Sequence, residues 1–120
     1  MSEEQKVQPT PSWVVHKFQL SNEAPTRVRM SSERRYLSVQ QQGKITVLWV
    51  LHNTHAVSTE RIITPVPTGR PLLGEQFDVS AMEYISTVQY QGGGFVVHYF
   101  DITNALNKDA RKSIECACFQ

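Results

Sequence analysis

Arg70 is the side chain whose neighbours best equip it for chemistry. It lies in the run Pro65-Val66-Pro67-Thr68-Gly69-Arg70-Pro71. Thr68 offers a hydroxyl, Gly69 lets the backbone approach a ligand closely, and the guanidinium fork matches a phosphate or carboxylate. The flanking prolines stiffen the segment and reduce the entropy lost on binding. Backbone N–H groups in such a turn can form an anion-binding nest. The run is not a P-loop, because the glycine–lysine–serine/threonine ending is missing. A turn that merely connects two elements is the competing reading. A second basic set comprises Arg27, Arg29, Arg34 and Arg35. On a strand, Arg27 and Arg29 share one side, opposite Val28 and Met30. The set makes either a positive surface for a phosphate-bearing ligand or acidic partner, or simply a solvated face. The candidate ligand-binding residues are therefore Thr68, Gly69, Arg70, Arg27, Arg29, Arg34 and Arg35. Tyr36, Tyr84 and Tyr90 either stack on a bound ring or cover the sheet.

Other constellations are weaker. His52 and His55 flank two residues at an expected strand end, where nothing aims both rings at one point. His16 and His98 become neighbours only if the first and last strands pair. A metal needs three or four convergent ligands, so these histidines read as edge side chains and no metal site is expected. Cys116 and Cys118 lack the spacing of zinc or redox motifs. No serine sits in a glycine-x-serine-x-glycine elbow. Asp78, Glu83 and Asp101 show no acid–base spacing and are expected to be solvated. We expect no enzyme, no catalytic residue and no cofactor.

The elements that must position these groups are mostly strands. Trp13–Leu20, Thr26–Met30, Tyr36–Gln42, Lys44–Leu51, Glu60–Val66, Glu83–Gln91 and Phe95–Phe100 are rich in β-branched and aromatic residues or alternate in polarity. Gly43 and Gly92-Gly93-Gly94 mark two hairpin turns. The continuous apolar run Val47–Leu51 predicts a central strand covered on both faces. Pro65 predicts an edge or bulged strand. Tyr84, Ser86, Val88 and Tyr90 are expected on one face. After Asp101, Leu106, Ala110, Ile114 and Ala117 recur at helical spacing, with Asp101, Thr103 or Asn104 as the cap. The chain divides into a flexible tail (1–12), a β domain (13–101) and an amphipathic helix (102–120). The expected fold is mainly β, a small antiparallel sandwich or open barrel of six to seven strands with one C-terminal α-helix. An α+β roll is its nearest competitor.

Composition bounds the function. The chain has 120 residues, with 12 basic against 11 acidic and 40% hydrophobic, which suits one small globular domain. A near-neutral balance excludes a general nucleic-acid coat or a polybasic membrane binder. No signal peptide is recognisable, and no apolar run approaches the roughly 20 residues of a membrane span. Two neighbouring cysteines suit a reducing compartment.

The segment Trp13–Asp101 resembles a family of small tailed-phage proteins of unestablished function. The matching pieces are Val15-His16-Lys17-Phe18 with Leu20, Leu37-Ser38-Val39-Gln40 with Leu48-Trp49, and Thr68-Gly69-Arg70-Pro71. Glu83-Tyr84-Ile85-Ser86-Thr87-Val88-Gln89, Gly92-Gly93-Gly94 and Val97-His98-Tyr99-Phe100 complete the order. In that family the loop usually reads glycine-threonine-glycine-histidine-proline. Here Pro67 replaces the first glycine and Arg70 the histidine. The resemblance implies a phage origin and the cytoplasm of an infected bacterial host, but no reaction. With the loop and the arginines, it leads us to expect a non-enzymatic accessory protein that sequesters a small anionic, nucleotide-like ligand and counters a host defence signal. The alternatives are an interaction module that inhibits a host or phage protein, and a minor structural protein of the virion. A homo-oligomer is a further expectation, because a domain this small has limited room for a deep pocket. The stripe at Leu106, Ala110 and Ile114 would then serve a dimer or close the core.

Overall fold

The computed structural model describes residues 12–71 and 78–106. It contains seven strands: β1 (Trp13–Leu20), β2 (Thr26–Ser31), β3 (Arg34–Gln42), β4 (Ile45–Asn53), β5 (Ser58–Pro67), β6 (Glu83–Tyr90) and β7 (Phe95–Asp101). They form a three-stranded sheet, β1-β4-β3, and a four-stranded sheet, β2-β5-β7-β6. Every pairing is antiparallel. Gly43 opens the tight β3–β4 connection at φ +63°, and Gly92 and Gly93 turn β6 into β7 at +66° and +99°. These are values that a residue with a Cβ adopts only at a cost.

Alternation explains how the sheets meet. On β2, Val28 and Met30 are buried while Arg29 is exposed. Leu20, Val39, Leu48 and Val50 from one sheet pack against Val28, Met30, Ile63, Val88, Val97 and Tyr99 from the other. Each aliphatic side chain so buried contributes about 1.5–3 kcal/mol. The polar groups inside this core are paired with one another. Thr46 Oγ1 meets Tyr90 Oη at 2.7 Å, and Tyr90 Oη meets Tyr99 Oη at 2.8 Å. A second cluster of Ile62, Ile102 and Ala105, with Ala81, Met82, Phe100 and Leu106, covers part of the outer face of the larger sheet. The sheets share one core and do not close into a barrel. No helix among the described residues is long and apolar enough to cross a membrane.

Several expectations need correction. Strand β5 is not an edge strand, since it lies between β2 and β7. Its pairing with β2 ends at Ile63, whereas its pairing with β7 continues to Pro67. Pro65 and Pro67 therefore sit where one side of β5 is open and their missing N–H groups forfeit no ladder bond there. On β6 a bulge between Tyr84 and Ser86 interrupts the alternation. Tyr84 consequently leaves the face of Val88 and Tyr90 and is exposed, with its hydroxyl 2.7 Å from that of Thr87. The expected helix over 102–120 does not begin where its pattern places it. Residues 102–106 form a turn and a single bridge, and Ala105 N bonds to Ile102 O at 2.9 Å. The rest of that expectation, including Ala110, Ile114, Cys116 and Cys118, lies outside the described residues, as do residues 1–11 of the expected tail. Ser12 is fixed by bonds from its N–H to Asn53 Oδ1 and from Thr54 N–H to its carbonyl.

Candidate anion-binding cleft

The early end of β2 creates a cleft. Beyond Ile63, the open side of β5 faces the β1–β2 connection. Ser21 Oγ shapes that turn by accepting from the N–H groups of Glu23 and Ala24 at 3.0 and 3.1 Å. The resulting cavity of about 390 Å³ is bounded by Asn22 and Glu23 on one side, Pro65 and Pro67 on the other, and Arg70 and Phe95. Phe95 is tilted against Tyr90 with ring centroids 5.9 Å apart, so its ring is held by the core. The cavity therefore combines proline and phenylalanine walls with one cation, one carboxylate and one amide.

Local geometry sets Arg70 at this cleft. Arg70 N donates to Pro67 O at 3.1 Å, closing a turn whose third residue, Gly69, has φ +84°. That positive φ is the requirement of a type II turn, and glycine meets it without strain. Thr68 N donates to Val96 O at 3.0 Å, tying the turn to β7. Since the Thr68 and Arg70 N–H groups are both engaged, the turn presents a guanidinium rather than a nest. Among the described residues, no carboxylate pairs with Arg70.

The other candidate residues are distributed over the molecule. Thr68 meets His98 Nε2 at 2.7 Å, and His98 Nδ1 meets Thr87 Oγ1 at 2.9 Å. Arg27 pairs with Glu60. Arg29 is exposed and borders a smaller hollow of about 150 Å³ with Met30 and His52. Arg34 turns inward, its Nε 3.1 Å from Tyr36 Oη and its Nη2 3.8 Å from Asp101. Arg35, next to Arg34 on β3, is exposed on the outer face of the smaller sheet. The structure thus brings Arg70 to a cleft without gathering the other arginines around it.

Two arrangements were missed from sequence. Asp101, expected to be solvated, is 1% exposed. It accepts from Tyr36 Oη at 2.5 Å, Arg61 Nε at 2.8 Å, and Thr103 N and Oγ1 at 2.9 and 2.6 Å. Burial pushes its carboxyl up, but the bonds from Arg61, Thr103 and Tyr36 outweigh burial and hold it below its ordinary value. Burial also disfavours the Arg61 charge, yet Asp101 holds that guanidinium firmly protonated. Burial, reinforced by Asp101, pushes the Tyr36 phenol up, so it stays a donor.

The second arrangement corrects the histidine pairing. His16 does not meet His98, which belongs to the other sheet; it meets buried His52, Nδ1 to Nε2, at 2.9 Å. Ser31 N donates to His52 Nδ1 at 3.1 Å. Nδ1 must therefore be unprotonated, and Nε2–H donates to His16. Burial, and then the charge of His16, lowers the His52 pKa. Among the described residues, no group of three or more His, Cys, Asp or Glu side chains is placed to hold a metal.

Residues 12–108, well over half of the chain, match a family described as a domain of unknown function (DUF7352). No curated protein and no solved structure matches the chain.

Proposed function

We propose that this chain, which belongs to the DUF7352 family of unknown function, binds and sequesters a small anionic, nucleotide-like ligand in the Arg70 cleft. The observation that carries this reading is a guanidinium with no carboxylate partner among the described residues, set at a cavity of about 390 Å³. That volume lies within the range of about 300–1,000 Å³ typical of small-molecule sites. The chemistry suits a nucleotide better than a simple anion. Arg70 serves a phosphate, Phe95 offers an aromatic surface, and Glu23 accepts from hydroxyl or amino groups across the cleft. No nucleophile is invoked, so the ligand is held and released unchanged. The resemblance to tailed-phage proteins supports a setting in the infected bacterial cytoplasm, where removing a nucleotide-like signal would blunt a host defence.

Calorimetry of the full chain against linear and cyclic nucleotides tests the proposal. We expect saturable heat with at least one of them and its unaltered recovery by chromatography. Arg70→Ala should weaken that affinity tenfold or more, since hydrogen bonds to charged groups contribute about 1.5–3 kcal/mol. No heat with any nucleotide would overturn the reading.

A further inference from the structure

We infer that the outer face of the β1-β4-β3 sheet docks an extended acidic segment of another protein that carries apolar side chains. This surface is separate from the Arg70 cleft and independent of it. The register places Arg35, Leu51 and Val15 in one row across the sheet, with Ser38, Trp49 and Lys17 in the next. Trp13 lies at the end of β1, diagonal to Leu51. Trp13 and Val15 are each 49% exposed, and Leu37, the extra residue of the β3 bulge, is 45% exposed. Scattered apolar residues are ordinary on a surface, but a contiguous set marks an interaction site. The apolar run of β4 predicts cover on both faces, yet its outward Trp49 and Leu51 are only half-buried. The larger sheet has such cover in the Ile62–Ile102–Ala105 cluster, whereas no described residue covers Trp13, Val15 or Leu37 in that way.

Charge selects the occupant. Lys17 and Arg35 are the ionisable groups at the outward strand positions of this face, and none of those positions carries a carboxylate. Glu33 stands at one end, engaged with Asn53 Nδ2 at 3.0 Å. Lys17 is fixed across the sheet, its Nζ 2.8 Å from Gln42 Oε1 and 5.8 Å over the Trp49 ring. Separate acidic side chains of one extended segment can meet the two cations in turn, while apolar neighbours settle on Val15, Leu51 and Trp13. A single-stranded nucleic acid fits less well. It needs successive open aromatic faces, and here Lys17 caps one face of Trp49 while aliphatic side chains fill the space towards Trp13.

Random octapeptides displayed against the immobilised full chain provide the test, followed by titration of the selected peptides and of oligothymidylate. The expected winners combine Asp or Glu with aliphatic or aromatic residues. Lys17→Glu with Arg35→Glu should weaken them tenfold or more and shift selection towards Lys- and Arg-containing peptides. Leu37→Ser, an exposed bulge residue whose loss leaves the core intact, should weaken the same peptides severalfold at unchanged Tm. The inference is overturned by an absence of selected peptides, by selection indifferent to charge reversal, or by tighter binding of oligothymidylate. Dimerisation in sedimentation that Leu37→Ser abolishes would also overturn it, since a second copy would then occupy the face.

Discussion

Tyr36 donates its phenolic proton to Asp101 Oδ2 at 2.5 Å, and this bond ties β3 of the smaller sheet to β7 of the larger one. Asp101 is also bound by Arg61 from β5, so one buried carboxylate links both sheets. Removing different members of the set should have unequal costs. Tyr36→Phe deletes one hydrogen bond to a charged group, an expected loss of about 1.5–3 kcal/mol. Asp101→Ala strands Arg61 without its counter-charge, and such broken buried pairs cost about 3–5 kcal/mol. Urea unfolding with unchanged slopes should give that order of midpoints.

Acid should destabilise the fold in two stages. His52 is held below its ordinary value of 6.5, so the unfolded chain takes up a proton that the native pair resists. Stability is then complete above about pH 6.5 and declines as pH falls through the lower native value. Asp101 is likewise depressed from 3.8. Its contribution is complete above that value and disappears as pH drops through the native one. Tm measured against pH should show both stages. His52→Gln should flatten the upper one and Asp101→Asn the lower one.

The His16–His52 bond allows a direct spectroscopic check. Long-range proton–nitrogen spectra above pH 7 should show His52 protonated at Nε2 and bare at Nδ1, because Ser31 N–H occupies the latter. The opposite tautomer would contradict the hydrogen-bond directions described for this pair.

Arg27 and Arg70 should separate stability from binding. Arg27→Ala removes a partly exposed pair with Glu60, at a cost of about 1 kcal/mol or less, and leaves nucleotide affinity unchanged. Arg70→Ala should keep stability within about 0.5 kcal/mol and lose affinity. Thermal melts and calorimetry on the two variants make the comparison.

Gly69→Ala isolates the turn. A Cβ there meets nothing within 4 Å, so the penalty comes from φ +84° alone, about 1–2 kcal/mol. Hydrogen exchange should show faster exchange of the Arg70 amide, which bonds to Pro67 O, while core amides stay protected.

Local pattern revealed the strands well because alternation and turn glycines are local signals. The start of β1 at Trp13 and its end at Leu20, and the turns at Gly43 and Gly92–Gly94, follow from neighbouring residues. Partners across sheets do not. Nothing near His16 indicates His52, because strand order decides their meeting. Pro65 suggests an edge or bulged strand, and β5 is neither; only the early end of β2 explains how an internal strand accommodates the proline. The burial of Asp101 is legible in the alternation of β7. Val97, Tyr99 and Asp101 alternate inward along β7, and that spacing places the carboxylate in the core, whereas its arginine partner on β5 depends on strand order. Arg70 was singled out by its loop, yet the cleft beside it depends on Asn22, Glu23 and Phe95, which no local motif joins to it.

The central claim is that an anionic, nucleotide-like ligand occupies the Arg70 cleft. Nitrogen-15 spectra of the full chain, titrated with the nucleotide panel, test it most directly. Binding should shift the amides of Asn22, Glu23, Gly69, Arg70 and Phe95, and Arg70→Ala should abolish those shifts. Shifts confined to the surroundings of Arg29 or Arg35, or none with any nucleotide, would contradict it.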